Sequence, residues 1–250
     1  MIKQLIALAQ EAGREVLNIY NNPGLSSQVD YKADDSPLTM ADTAANKILM
    51  AGLKDLAGAL PVLSEEEKHQ PYAERKHWQR FWLVDPLDGT KEFINRNGEF
   101  TINIALVEDR QPVAGVIYVP VKDITYYGDA TGAWKIDHGT VSEIKVNKAT
   151  HNRIAVRSKS HASPEEEEVL NRYHVADSIA VGSSLKFCMV AEGKADVYYR
   201  HGPTMEWDTG AGQAIVQAAG GKVYQGAAAE KEFNYNKENL RNGSFLCLGF

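Results

Sequence analysis

The stretch Trp82-Leu83-Val84-Asp85-Pro86-Leu87-Asp88-Gly89-Thr90 constrains this chain more than any other. The apolar run Phe81–Val84 has the length and composition of a buried strand, and the spacing predicts that it stops at Asp85. Such a strand must lie inside a sheet, and this one carries two carboxylates, Asp85 and Asp88, at its exit. Two anions converging on one small volume repel unless a cation sits between them or one is protonated. An all-oxygen site suits a hard cation such as Mg²⁺ better than zinc or copper. Taken in isolation, Asp-Pro-Leu-Asp-Gly also reads as a plain type I turn, where Asp and Pro are ordinary residues.

Two further segments bear on that choice. Ser64-Glu65-Glu66-Glu67 follows the short apolar run Pro61-Val62-Leu63, so a second strand is expected to end in carboxylates, with Glu66 and Glu67 read as a solvated loop. Trp207-Asp208-Thr209-Gly210 opens a small-residue helical run, Ala211 to Ala219, closed by Gly220-Gly221. Asp208 is either the cap of that helix or an acid facing a ligand. The two are compatible, because a helix N-terminus is itself an anion site. Thr39-Met40-Ala41-Asp42 fits a capping box opening a helix from about Met40 to Ala57, with Asp42 as its capping acid.

Ser64-Glu65-Glu66, the block Trp82–Thr90, and Trp207-Asp208 with its Ala/Gly-rich helix resemble the three signatures of the lithium-sensitive, magnesium-dependent phosphatases of the inositol monophosphatase superfamily. The segment Lys91–Thr101, with Gly182-Ser183-Ser184-Leu185-Lys186-Phe187, is similar to the bacterial 3′(2′),5′-bisphosphate nucleotidases of sulfate assimilation. The resemblance runs from Lys32 to the helix after Asp208. It implies an α/β fold layered as an α+β sandwich, with an antiparallel-sheet half (1–150) and a C-terminal α/β half (151–250). It implies two or three Mg²⁺ ions: Glu65, Asp85 and the Leu87 carbonyl around one, and Asp85, Asp88 and Asp208 around another. Ions about 4 Å apart can stabilise both the attacking and the leaving oxygen of an in-line displacement.

The resemblance further implies that Glu65 and Thr90 orient a water that attacks the 3′-phosphorus, with Asp42 beside them. Thr90 also has an ordinary turn-capping reading. The backbone N–H groups of Gly89 and Thr90 would hold the transferring phosphate, and Glu65, Leu87, Asp88 and Asp208 would face the same substrate. Ser183, Lys186 and Arg200 are expected around the nucleotide, with His161 nearby, although either cation reads equally as an ordinary surface charge. The implied reaction converts adenosine 3′,5′-bisphosphate to AMP and phosphate, with 3′-phosphoadenylyl sulfate as a related substrate. The rivals are the same chemistry on inositol phosphates, fructose bisphosphate or the 2′-phosphate of a dinucleotide, and a noncatalytic phosphate-binding module. Lithium inhibition is part of the implied behaviour.

Composition narrows the remaining classes. A chain of 250 residues that is 44% hydrophobic and 24% charged is long enough for one large or two modest cores. A net charge of −6 without a basic stripe argues against nucleic-acid binding. An acidic protein that handles a polyanion must build local positive potential. No run has the length of a transmembrane helix, and Ile2–Tyr20 has helical apolar spacing rather than a signal-peptide pattern. Cys188 and Cys247 sit in apolar surroundings, which points to free thiols and the cytoplasm. Peripheral contact with the inner membrane and oligomeric state stay open. The histidines lack zinc-ligand spacing. Runs at Thr101–Val107, Val113–Val119 and Ile124–Tyr127 predict an antiparallel meander. From His151 onward strands alternate with helices, which puts a subdomain boundary near residue 150. Ser163-Pro164 followed by four glutamates predicts a capped helix with a solvated acidic face.

Overall fold

The computed structural model describes residues 1–32, 37–56, 58–158 and 163–250. His161, with its neighbour Ser160, lies outside the described residues. The chain opens with α1 (Ile2–Tyr20) and a short α2 (Pro23–Ser26), then the antiparallel pair β1 (Val29–Tyr31) and β2 (Pro37–Thr39), which leads into α3 (Met40–Lys54). Next come β3 (Val62–Ser64), α4 (Tyr72–Arg75), β4 (Arg80–Asp88), α5 (Thr90–Ile94), β5 (Thr101–Glu108), β6 (Gln111–Val119), β7 (Ile124–Asp129), β8 (Gly132–Asp137) and β9 (Thr140–Glu143). The remainder is β10 (Arg153–Arg157), α6 (Pro164–Arg172), β11 (Val175–Ala180), α7 (Leu185–Ala191), β12 (Val197–Arg200), β13 (Thr204–Met205), α8 (Glu206–Ala218), β14 (Lys222–Gln225), β15 (Lys231–Glu232), β16 (Arg241–Asn242) and β17 (Phe245–Leu248).

Strands β3 to β9 form one sheet in sequence order, antiparallel except that β3 and β4 run parallel. The second sheet, ordered β11-β10-β12-β17-β14-β15, is drawn entirely from residues after 150. Alternation along β4 and β5 explains how the first sheet is covered on both faces. Phe81, Leu83, Ala105 and Val107 join the core shared with α7 and α8, while Trp82, Val84, Ile104 and Leu106 join the core shared with α1 and α3. The order of layers is therefore α1 and α3, the first sheet, α7 and α8, the second sheet, and α6. This is the layered α/β architecture that the sequence implies. Among the described residues, no helix is long and apolar enough to cross a membrane.

Three local expectations are corrected. β4 does not stop at Asp85. It continues to Asp88 through a bulge, since Asp85 pairs with Asn103 and Asp88 with Thr101, leaving one extra residue on β4. The extra residue bends the strand and re-aims its acids, which a strand that simply ended would not do. The last helix starts at Glu206 rather than Ala211, so Asp208 lies inside its first turn and is not its cap. Glycine propensity alone argues against Gly210 and Gly212 in a helix, but packing overrides it. A Cβ on Gly210 would lie 2.7 Å from Leu83 Cδ2, and one on Gly212 would lie 2.4 Å from the Phe187 ring. Finally, the acidic face of α6 is not wholly solvated: Glu166 is buried and paired with Arg157 at 2.8 Å, while Ser163 Oγ caps the helix as expected.

Candidate active site

The parallel pairing of β3 with β4 is what creates the site. Ser64 lies opposite Val84, and the Glu65 N–H donates to the Val84 carbonyl at 3.1 Å, so Glu65 emerges beside Asp85. α8 crosses the same end of the sheet and supplies Asp208. Its approach is close because Gly210 meets Leu83 and Ala105 directly. Glu65, Asp85 and Asp208 each present a carboxylate oxygen within 4.8 Å of the other two. Asp85 is buried, and its Oδ1 accepts from Leu87 N–H at 3.0 Å, while Asp208 Oδ2 accepts from Met205 N–H at 2.8 Å. Asp88 stands beside these three, and its Oδ2 accepts from Ser184 N–H at 2.5 Å.

Burial dominates the electrostatics. It pushes Asp85 and Asp208 well above the usual carboxylate range, and the negative charges of their acidic neighbours add to the effect. Asp88 is raised to about 6 by burial, against the opposing charge of Lys186. Lys186 is pushed down to about 8 by burial, against the pull of Asp88. Four acids crowd a volume in which Lys186 is one nearby cation and Lys32 another. The donors are all oxygens, and their mutual repulsion is what a hard divalent cation would relieve. The residues present thus fit Mg²⁺.

Thr90 begins α5 immediately after Gly89, whose φ of +92° lies in the left-handed region that favours glycine. Thr90 Oγ1 donates to Asp42 Oδ1 at 3.1 Å, with the Leu87 carbonyl farther away at 3.4 Å. Asp42 both caps α3 and accepts from Thr90. Its Oδ2 accepts from Thr39 N–H at 2.7 Å and Thr39 Oγ1 at 2.6 Å, closing the capping box, while its other oxygen faces Thr90. Burial holds Asp42 up at about 6 despite those donors. Lys32 Nζ reaches Glu65 at 2.7 Å and Glu66 at 2.6 Å. Burial opposes its charge, but the two carboxylates outweigh burial and keep the ammonium above the ordinary lysine value. Glu66 is therefore ion-paired and half-buried, not part of a solvated loop.

Glu65, Asp85, Leu87, Asp88, Gly89, Thr90, Ser183, Lys186, Arg200 and Asp208 all line one cleft of about 440 Å³. Lys186 is only 5% exposed, and its Nζ donates to the carbonyls of Val181 at 3.1 Å and Ser183 at 2.8 Å. Arg200 spends its Nε–H on the Gly202 carbonyl at 2.9 Å. The sequence reading missed the support beneath this loop. Glu99 Oε2 accepts from Gly182 N–H at 2.7 Å, and Ser184 Oγ, which contacts Thr101 Oγ1 at 2.7 Å, donates to Asn103 Oδ1 at 2.8 Å. Asn103 had a signal: it is a polar residue within the apolar run from Ile102 to Val107. Tyr198 and Phe245, which also line the cleft, had none, because each reads as an ordinary core aromatic.

The sequence model of the inositol monophosphatase family matches residues 1–244. The chain belongs to that family. Among its relatives, a 3′(2′),5′-bisphosphate nucleotidase named CysQ from Salmonella typhimurium (strain LT2) is 45% identical over 252 residues, spanning all of this chain and 98% of the relative. The CysQ nucleotidase of Escherichia coli (strain K12) is 44% identical over 250 residues, with 98% of it covered. The crystal structure of CysQ from Bacteroides thetaiotaomicron, described as a bacterial member of the inositol monophosphatase family, superposes with a TM-score of 0.86 at 45% identity, covering 99% of this chain and 96% of that one.

Proposed function

We propose that this inositol monophosphatase family member is a Mg²⁺-dependent phosphatase that removes the 3′-phosphate of adenosine 3′,5′-bisphosphate, giving AMP and phosphate. The observation that carries the reading is the convergence of Glu65, Asp85 and Asp208 beside the Asp42–Thr90 pair, at one end of a cleft that also holds Lys186 and Arg200. The 44–45% identity to full-length CysQ nucleotidases supports the choice of substrate. Glu65, Asp85, Asp88, Asp208 and the Leu87 carbonyl would hold the metal. Bound Mg²⁺ supplies Lewis-acid polarisation and offsets charge on the transferring phosphate.

The proton arrangement at Thr90 determines how a water can bind. The single hydroxyl proton is committed to Asp42, so Thr90 Oγ1 can only accept from the water. A water donating to Thr90 and to Glu65 turns a lone pair toward the phosphorus. The N–H groups of Gly89 and Thr90 at the start of α5 receive the equatorial phosphate oxygens as charge grows on them. We assign residues 1–150 and 151–250 to two subdomains: the first provides the attacking side and most ligands, and the second provides Asp208 and the nucleotide contacts. The two buried free cysteines agree with a cytoplasmic setting.

A phosphate-release assay tests the reading. Adenosine 3′,5′-bisphosphate should be hydrolysed with Mg²⁺ and not with excess chelator, and inositol 1-phosphate should be turned over far more slowly. Faster release from the inositol ester would move the enzyme to that substrate class, and no release from any phosphomonoester would refute the reading. A stability measurement gives a second check. The raised carboxylates bind more protons in the folded state than in the unfolded state. The chelated protein should therefore lose stability as pH rises from about 4 through about 6, where Asp42 and Asp88 ionise, and lose more as the still higher Asp85 and Asp208 follow. Mg²⁺ should raise the melting temperature more at pH 7.5 than at pH 5.5. The opposite order would show that these acids do not take up the ion.

A further inference from the structure

Asn46 lies one helical turn beyond Asp42 on α3, so the two side chains leave the same face of the helix. Asp42 receives the Thr90 hydroxyl. Asn46, which is buried, is bonded instead to the turn that carries Glu65. Its Oδ1 accepts from Ser64 Oγ at 2.8 Å, and its Nδ2 donates to Glu67 Oε1 at 2.8 Å. Ser64 Oγ in turn accepts from Glu66 N–H at 3.4 Å, and the Ser64 carbonyl accepts from Glu67 N–H at 3.3 Å. One side-chain amide therefore grips both ends of the Ser64–Glu67 turn, with Glu65 at its second position.

We propose that Asn46 is a positioning residue: it holds the Glu65 carboxylate at the acidic cluster and in register with the Asp42–Thr90 pair, so that one face of α3 sets both groups that orient the attacking water. This rests on the phosphatase reading above. Asn46 touches neither substrate nor reacting atoms and acts through the turn. An amide suits the position because it must accept at one end and donate at the other. A carboxylate there would keep the Ser64 bond but would face Glu67 with like charge and no donor. A leucine would lose both bonds.

That chemistry allows an exchange experiment with Asn46→Asp, Glu67→Gln and the double variant. In the double variant the roles are reversed: residue 67 donates and residue 46 accepts, at unchanged total charge. Asn46→Asp should weaken Mg²⁺ binding, read by calorimetric titration with MgCl₂, and should lower kcat, each by about 10- to 100-fold, with little change in substrate KM. Glu67→Gln alone should be mild, because its amide oxygen can still accept from Asn46. The double variant should recover most of both losses. If Asn46→Asp fails to fold, a double variant that folds with wild-type Mg²⁺ affinity and kcat supports the coupling. A lowered melting temperature with Mg²⁺ affinity and kcat unchanged would reduce Asn46 to a stabiliser of α3 and overturn the proposal. So would a folded double variant as defective as Asn46→Asp. If the wild-type protein releases no phosphate, the phosphatase reading fails, yet the MgCl₂ titrations still decide whether Asn46 sets Glu65.

Discussion

Asp85→Asn should cut Mg²⁺-dependent turnover by two to three orders of magnitude, a loss of about 3–4 kcal/mol of transition-state stabilisation, and leave the protein folded. Asp85 is the buried member of the three-carboxylate cluster, and its neighbours Glu65, Asp88 and Asp208 all oppose its ionisation. The amide keeps the shape and the Oδ1 acceptor for Leu87 N–H, so the bulge in β4 should survive. What is lost is a negative charge that only a cation makes tolerable. The same substitution should therefore leave the chelated protein at neutral pH at least as stable as the wild type, because one source of buried repulsion is gone. Lower activity with equal or higher metal-free stability is the combined signature to look for in parallel kinetics and melting curves. Near-normal turnover would remove Asp85 from the chemistry.

The second large effect separates Arg200 from Lys186, both of which line the cleft. Among the described residues Arg200 bonds the chain through its Nε–H, to the Gly202 carbonyl, and its planar fork can turn to a phosphate. A charge-assisted contact contributes about 1.5–3 kcal/mol, so Arg200→Ala should lower kcat/KM on adenosine 3′,5′-bisphosphate by roughly 10- to 150-fold. It should lower it much less on adenosine 3′-monophosphate, which lacks the second phosphate. Lys186 differs because its ammonium bonds the carbonyls of Val181 and Ser183. Those bonds shape the loop whose Ser184 N–H holds Asp88. Lys186→Ala should therefore damage both substrates together. Equal losses on both substrates for Arg200→Ala would assign Arg200 to the fold. A loss confined to the bisphosphate for Lys186→Ala would make Lys186 a direct phosphate grip.

Much of the architecture was legible because it depends on local periodicity. The apolar runs Phe81–Val84 and Thr101–Val107 mark strands, which the structure buries on both faces, and the Thr39–Asp42 capping box marks the start of α3. Misreadings arose where packing overrules local preference. Residues 207–210 read as the approach to a helix that begins at Ala211, yet they lie inside it, seated against β4 where Leu83 fills the space a side chain on Gly210 would need. The Asp85–Asp88 segment read as a turn, yet it is a bulge, because the partner strand continues through Asn103 to Thr101. Asn46 was invisible as a functional residue, since a lone asparagine in a helix carries no periodic signal of what it faces.

By itself, then, the sequence determined the kinds of chemistry available: oxygen donors at strand ends, a hydroxyl after a glycine, and two cations far along the chain. The tertiary structure decided which of these meet. An antiparallel β3 would have carried Glu65 to the far end of the sheet from Asp85. The parallel register, Ser64 opposite Val84, brings them side by side. Only the close seating of α8 on β4 and β5 then adds Asp208. The physical reason is that alternation along a strand defines its two faces but not its neighbours. Strand direction and helix approach are chosen by the burial of whole faces and by the fit of small residues against large ones.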